Sequence, residues 1–203
     1  MRISVIMPVY LGSYEHEGIK SATNPEGKFV RAVNSFINQT FQDCELIIIS
    51  DGCDKSKEIV KRFTDPRIRF KQIEKQVLFS GKVRQSGIEI SEGEIICYLD
   101  HDDVYGENHL EIINANFDTE KYDYVYFNDY VLQSLSEAIE REVSPAVFHI
   151  GTSSIAHTRA CNVVWGDGYC HDWRMINTYL IGKRSIKIPT PEYYVCHFHP
   201  NDF

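Results

Sequence analysis

Glu94-Ile95-Ile96-Cys97-Tyr98-Leu99, followed at once by Asp100-His101-Asp102-Asp103, is the stretch from which the rest of the chain can be ordered. The apolar run from Ile95 to Leu99 has no polar residues alternating through it, which predicts a strand buried on both faces. Three carboxylates within four residues stand at its carboxyl end. Like charges so close disfavour one another, so a positive group is expected to offset them. A hard divalent cation does this well, because Mg²⁺ and similar ions take one or two carboxylates plus substrate phosphates. The competing reading is a solvated aspartate-rich turn capping the helix near Glu107, and residue types alone leave the two even. An EF-hand is excluded, since its glycine and distal glutamate are missing at the required offsets.

Toward the N-terminus, Lys82 to Ser91 reads as a helix with Gly93 as its stop. Arg67 to Ile73 alternates as a half-buried strand does. Glu45 to Ser50 is a second buried strand, broken by Asp51-Gly52, with Asp54 or Ser56 available to cap the helix that carries Ile59, Val60 and Phe63. Phe29, Val33, Phe36 and Ile37 recur at helical spacing. Ser4 to Val9 opens the chain as a buried strand that Pro8 is expected to end. The polar segment from Leu11 to Gly27 reads as a long functional loop.

Toward the C-terminus, His109 to Asn116 predicts a helix and Tyr122 to Leu132 a strand. After about Ser134 the pattern loosens. Gly151 to Ser154 and Gly166 to Gly168 are small-residue clusters, His171 to Ile181 reads as helix, and Lys187 to His199 as extended chain. Strand–helix alternation of this kind predicts an α/β protein, a mostly parallel central sheet flanked by helices in a single domain. Ligands bind such sheets at the carboxyl ends of the strands. Pro8-Val9-Tyr10, Asp51-Gly52 and Asp100 to Asp103 are therefore expected to converge on one edge.

Composition narrows the function. The chain has 203 residues, 43% hydrophobic and 25% charged, with a formal net charge of −8. That is enough chain for one sizeable core. The acidic balance argues against a nucleic-acid partner, whose phosphates demand a Lys/Arg surface. No apolar stretch approaches the roughly 20 residues needed to span a bilayer, although association at a membrane surface stays open. The six cysteines contain no CxxC pair, so zinc-ribbon spacing is absent. With no signal-peptide pattern, reduced thiols and a cytoplasmic location are expected, with Cys97 a small buried hydrophobe.

Four ordered blocks then resemble glycosyltransferase family 2 and its GT-A fold. Ile3 to Tyr10 resembles that family's opening strand. Phe36 to Phe41 followed by Glu45 to Asp54 resembles the next block, with Cys53 in place of the usual serine. Val83 to Ile88 followed by Glu92 to Ile96 resembles the third, with Gln85 in place of asparagine. Leu99-Asp100-His101-Asp102-Asp103 is similar to the family's DxDD motif. The resemblance implies a nucleotide-sugar-binding part over 1–133 and an acceptor-side part over 134–203. It implies that Pro8, Val9, Tyr10, Asp51, Arg84 and Asp100 bind the nucleotide, with Asp51 hydrogen-bonding the base, uracil. It implies Asp102, with Asp100, as protein ligands of Mn²⁺ or Mg²⁺. Asp103 would bind the donor sugar or stabilise the turn.

Family members carry an acidic pair, often Glu-Asp, before an aromatic at a helix start. Here the equivalent is His171-Asp172-Trp173, which makes Asp172 the implied catalytic base. Its alternative role is a helix N-terminal aspartate favoured by the dipole. A late histidine reaches the metal in some GT-A enzymes, which singles out His199 in His197-Phe198-His199, while His101 points away from its flanking aspartates. The implied reaction is metal-dependent, inverting transfer of a sugar, from a UDP-sugar, to a hydroxyl of a saccharide or lipid-linked saccharide. Surface-polysaccharide or lipopolysaccharide assembly, at the inner face of the membrane, is the expected setting. Two rivals stand beside it. A sugar nucleotidyltransferase would carry a basic glycine-rich loop after the first strand, whereas Lys20 is the only Lys or Arg between Leu11 and Gly27. A non-catalytic nucleotide- or glycan-binding module of the same fold is kept open by the missing glutamate before Asp172.

Overall fold

Every residue of β1 (Ile3–Val9), β2 (Cys44–Asp51) and β4 (Ile95–Tyr98) is buried in the computed structural model, which describes residues 2–13, 23–76, 79–134, 137–146 and 149–196. Side chains alternate across a strand, so an unbroken apolar run needs cover on both faces. Two apolar clusters provide it. Val5, Met7, Leu46, Ile48 and Cys97 point into one, with Phe29, Val33 and Phe36 of α1 (Pro25–Ile37) and Ile59 of α2 (Asp54–Val60). Ile6, Ile47, Ile49, Ile96 and Tyr98 point into the other. There they meet Val83 of α3 (Gly81–Ile90) and Met175 and Ile176 of α5 (His171–Tyr179).

The remaining elements are β3 (Ile68–Ile73), β5 (Val104–Tyr105), α4 (His109–Asn116), β6 (Tyr124–Tyr126), β7 (Asp129–Ser134), β8 (Glu137–Arg141), β9 (Ile155–Thr158), β10 (Ser185–Lys187) and β11 (Tyr193–Val195). They form a seven-stranded sheet in the order β10-β6-β9-β4-β1-β2-β3 and a four-stranded sheet in the order β5-β11-β7-β8. In the larger sheet β9 runs antiparallel to both β4 and β6, and the other pairings are parallel. The expected mostly parallel α/β sheet is therefore present. Among the described residues no helix is long and apolar enough to cross a membrane. All six cysteines are free thiols, and Cys97 is buried in the core.

Several local expectations are corrected. Pro8 does not end β1, which runs on to Val9. The Leu99 amide donates to the Ile6 carbonyl, so even-numbered residues of β1 face β4, and β4 pairs with β1 only as far as Ile6. Pro8 thus lacks an N–H where no ladder partner exists. Pro25 belongs to α1 rather than to the preceding loop, at a position where proline is favoured. The helix begins at Asn24, whose side chain accepts from the Gly27 amide at 3.1 Å. Neither Asp54 nor Ser56 caps α2. Cys53 occupies that position, while Ser56 Oγ donates to the Cys53 carbonyl at 2.6 Å and Asp54 accepts from Gln72 at 2.8 Å.

The single strand expected over Tyr122 to Leu132 is two. β6 joins the large sheet and β7 starts the small one. The break falls at Phe127 and Asn128, and β7 opens on Asp129, a fully buried carboxylate that accepts from Arg141 Nε at 2.8 Å, Ser153 Oγ at 2.6 Å and Ser154 Oγ at 2.9 Å. A charge cannot be buried among apolar side chains without such partners, so the chain turns to meet them. The small-residue cluster from Gly151 to Ser154 contains a single 3₁₀ turn, Thr152–Ser154, leading into β9.

Candidate functional site

At the carboxyl end of β2, Asp51 accepts from Lys75 Nζ at 2.7 Å and from the Gln76 amide at 2.6 Å. Lys75 Nζ also lies 4.3 Å from the Tyr10 ring centroid. Gly52 makes this approach feasible. Its φ is +66°, and a Cβ there would sit 2.7 Å from the Lys75 side chain and 2.8 Å from its backbone nitrogen. Pro8 and Val9 are buried, Val9 within the apolar core, so Tyr10 is the side chain of that trio that reaches the edge. Lys75 was not singled out by the sequence reading, because an isolated lysine after a strand carries no local signal.

At the end of β4, Asp100 pairs with Arg84 of α3. The Asp100 side chain is 33% exposed and that of Arg84 only 5%, so the carboxylate meets solvent while the guanidinium behind it is enclosed. Arg84 Nη1 donates to Ser80 Oγ and lies 3.0 Å from His171 Nε2, and its carbon sits 5.2 Å from the Trp165 ring centroid. His171 Nδ1 is 3.2 Å from the Gly168 carbonyl. Burial, and then the Arg84 charge, push the His171 pKa below its ordinary value.

Beyond Asp100 the acidic cluster divides. Arg31 donates to the backbone carbonyl of Asp102 at 2.9 Å, and Asp102 is 8% exposed. Asp103 is buried. Its Oδ2 accepts from the Tyr193 hydroxyl at 2.9 Å and its Oδ1 from the Cys196 amide at 2.7 Å. Burial, then the charges of Asp102 and Asp100, raise its pKa well above the usual carboxylate range. These contacts tie β11 to the turn after β4. His197 and His199 lie outside the described residues.

A cavity of about 590 Å³ opens beside Asp100. Arg84, Asp100 and His171 line it together with Asp172, Trp173 and Arg141. Asp172 stands in the first turn of α5, where its Oδ1 accepts from the Trp173 amide at 2.8 Å. The fold thus brings Arg84, Asp100 and Asp172 to one cavity from three elements. Tyr10 and Asp51 form a neighbouring cluster at the end of β2, and Asp102 and Asp103 sit in the turn beyond Asp100. Ser80, Trp165, Arg141 and the buried Asp129 behind it escaped the sequence reading, since each is a single residue whose role depends on partners far along the chain.

Among the described residues no group of three or more His, Cys, Asp or Glu side chains converges as a metal cage. Asp100 and Asp102 could supply at most two carboxylates, so a hard cation here would need its other ligands from a bound diphosphate; Asp100 lines the cavity, while Asp102, 8% exposed, is not among its lining residues.

Comparison with known proteins follows the same lines. The family model described as "Glycosyl transferase family 2" matches residues 4–141. Over 194 residues the chain is 27% identical to the poly(ribitol-phosphate) β-N-acetylglucosaminyltransferase TarP of Staphylococcus aureus, covering 93% of this chain and 53% of that one. The chain spans about half the length of that curated relative, and its 81-residue match to the Bacillus subtilis protein named "Putative glycosyltransferase EpsH", at 37% identity, covers 39% of this chain and 24% of that one. In structure it is similar to S. aureus TarS 1–349 in complex with UDP-GlcNAc, with a TM-score of 0.77 at 18% identity over 96% of this chain and 58% of that one. It is also similar to a Pyrobaculum calidifontis mannosyltransferase in complex with GDP-Man and Mn²⁺, with a TM-score of 0.65 at 13% identity over 99% of this chain and 58% of that one. These likenesses bear out the GT-A fold that the sequence motifs implied.

Proposed function

Since the chain belongs to glycosyl transferase family 2, we propose that it moves a sugar from a nucleotide-sugar, with UDP as the nucleotide, to a hydroxyl of a saccharide or lipid-linked saccharide in polysaccharide assembly. The observation that carries this reading is the shared cavity. It sets a carboxylate–guanidinium pair, Asp100 with Arg84, and a second carboxylate, Asp172, around one space. The UDP-GlcNAc held by the similar TarS structure supports the choice of donor class.

In this reading Tyr10 and Asp51 receive the base, with Lys75 holding the Asp51 carboxylate in place. Asp100 binds the ribose or the metal, and Arg84 neutralises it from behind. Asp102 would join Asp100 in holding Mn²⁺ or Mg²⁺, which would supply Lewis-acid neutralisation of the departing diphosphate. Asp172 accepts the proton of the acceptor hydroxyl as that oxygen attacks and the diphosphate leaves; attack from the face opposite the leaving group inverts the anomeric carbon, the outcome the family resemblance implies. Asp103 serves the turn.

Calorimetry with UDP, with and without Mn²⁺, tests the donor site. Slow hydrolysis of a screened set of UDP- and GDP-sugars tests catalysis without an acceptor. Binding that is absent for both nucleotides removes the proposal. Binding without any hydrolysis or transfer supports the second reading, a binding module of this fold, which is favoured by His171 standing where the resemblance expects a glutamate.

A further inference from the structure

We propose that His171 is a positioning residue that acts as a neutral imidazole, accepting a hydrogen bond from Arg84 and so holding the guanidinium against Asp100. Its consequence for donor binding rests on the function proposed above; its hydrogen-bonding state does not.

The argument begins with what each group can do. A guanidinium has only donors, so His171 Nε2, 3.0 Å from Arg84 Nη1, must present a lone pair. A carbonyl only accepts, so His171 Nδ1, 3.2 Å from the Gly168 oxygen, must carry the proton. Both contacts are satisfied by one species, the neutral Nδ1–H tautomer, and the Ser80 hydroxyl, 3.4 Å from Nε2, can donate to the same lone pair. The Gly168 backbone, at φ +91°, places that carbonyl just before α5 begins, and Phe79 packs against the imidazole with ring centroids 5.9 Å apart. The ring is therefore held on its protonated edge and on a face, with its lone pair aimed at Arg84.

Arg84 needs that acceptor. It is enclosed, and its Nε is buried without a hydrogen-bond partner among the described residues. Its orientation is set by Ser80, His171 and Asp100 in the guanidinium plane and by Trp165 on its face. The charged groups facing His171 are Arg84 from α3, Asp100 from the end of β4 and Asp172 beside it on α5. A protonated His171 would set an N–H against the Arg84 N–H and lose the bond. A carboxylate at 171 would compete with Asp100 for the same cation. A neutral acceptor avoids both outcomes, leaving the Arg84 charge to Asp100. Burial and the Arg84 charge lower the His171 pKa, which extends the neutral form to more acid pH.

The test uses the full chain labelled with ¹⁵N-histidine, with His171 signals assigned by loss in His171→Gln. Long-range ¹H–¹⁵N spectra at pH 7 are expected to show the Nδ1–H tautomer; an Nε2–H tautomer or an imidazolium overturns the proposal. UDP affinity with Mn²⁺ is then followed from pH 5 to 8. His171→Ala is expected to weaken UDP on the order of tenfold. His171→Gln, which supplies an uncharged acceptor and a donor, is expected to restore it to within about threefold and to remove the decline toward acid pH that the proposal expects of the native chain. An alanine variant that binds UDP as the native chain does, or a glutamine variant that keeps the acid decline, overturns the proposal. If the native chain binds neither UDP nor GDP, the nucleotide-sugar reading fails by itself. The Asp100 carboxyl ¹³C shift in His171→Gln and His171→Glu then decides the positioning role: it is unchanged in the first and displaced in the second if His171 acts as inferred, and displacement in neither overturns it.

Discussion

The strands β1, β2 and β4 and the hairpin β7–β8 are built on opposite terms. Each residue of the three strands is buried, whereas all five residues of β8 are exposed. The first group is held by apolar cover on both faces. The second is pinned by a single buried carboxylate, Asp129, which gathers Arg141, Ser153 and Ser154. The comparison teaches where tolerance and chemistry lie. A sheet centre packed on both faces supplies fixed strand ends, and the polar hairpin and the start of α5 supply the cavity wall opposite them. The division is not clean, since β9, β6 and β10 extend the same central sheet beyond β4.

The strongest way to break the comparison is Asp172→Asn. If the later part of the chain is only scaffold, turnover survives; the expected outcome is a fall in kcat of ~10²–10⁴ with UDP affinity unchanged, read by steady-state kinetics beside calorimetry. Next comes stability. Ile47→Ala, in the middle of β2, is expected to cost ~2–5 kcal/mol in urea unfolding, because it leaves a cavity in a core packed to full density. Asp129→Asn is expected to cost ~2 kcal/mol, since it weakens charge-assisted bonds that a half-exposed Arg141 can partly replace with water.

A pH experiment sharpens the role of β9. His157 Nδ1 lies 3.0 Å from the Thr158 carbonyl and must donate to it, so Nε2 accepts from the Tyr98 hydroxyl at 2.7 Å, and Trp165 Nε1 donates to the same hydroxyl at 3.1 Å. Burial lowers the His157 pKa to about 4. The unfolded chain therefore binds the proton first, and this histidine makes stability fall as pH drops from about 6.5 toward 4. Replacing it with glutamine is expected to lessen the acid slope of unfolding free energy by ~1.4 kcal/mol per pH unit in that window. Buried Asp103, with its raised pKa, contributes the opposite slope as its native form retains a proton, which is why the native-minus-variant difference is the quantity to measure. The smallest effect is expected for Ile139→Ala on β8, within ~0.5 kcal/mol, because that side chain is 46% exposed.

Much of the fold was legible along the chain. Ser4 to Val9, Glu45 to Ser50 and Ile95 to Leu99 declare buried strands because an apolar run needs no distant partner to state its preference, and the carboxylates behind them mark strand ends. Helix α4 spans the His109 to Asn116 that the sequence predicts. Other features depended on residues brought together only by folding. Ile155 to Thr158 is too short and mixed to announce a strand, and becomes one because β4 and β6 offer edges on both sides. Tyr122 to Leu132 reads as one strand until the partners of Asp129 divide it. In the candidate site, Asp51, Asp100, Asp102 and Asp172 stood out by motif and position, whereas Lys75, Ser80, Trp165 and the imidazole of His171 acquire meaning through contacts as far apart as 91 residues, from Ser80 to His171. Local propensity and hydrophobic pattern are properties of neighbours in sequence. A hydrogen bond between a guanidinium and an imidazole depends on where the sheet and the start of α5 put two atoms, and tertiary structure alone decides that.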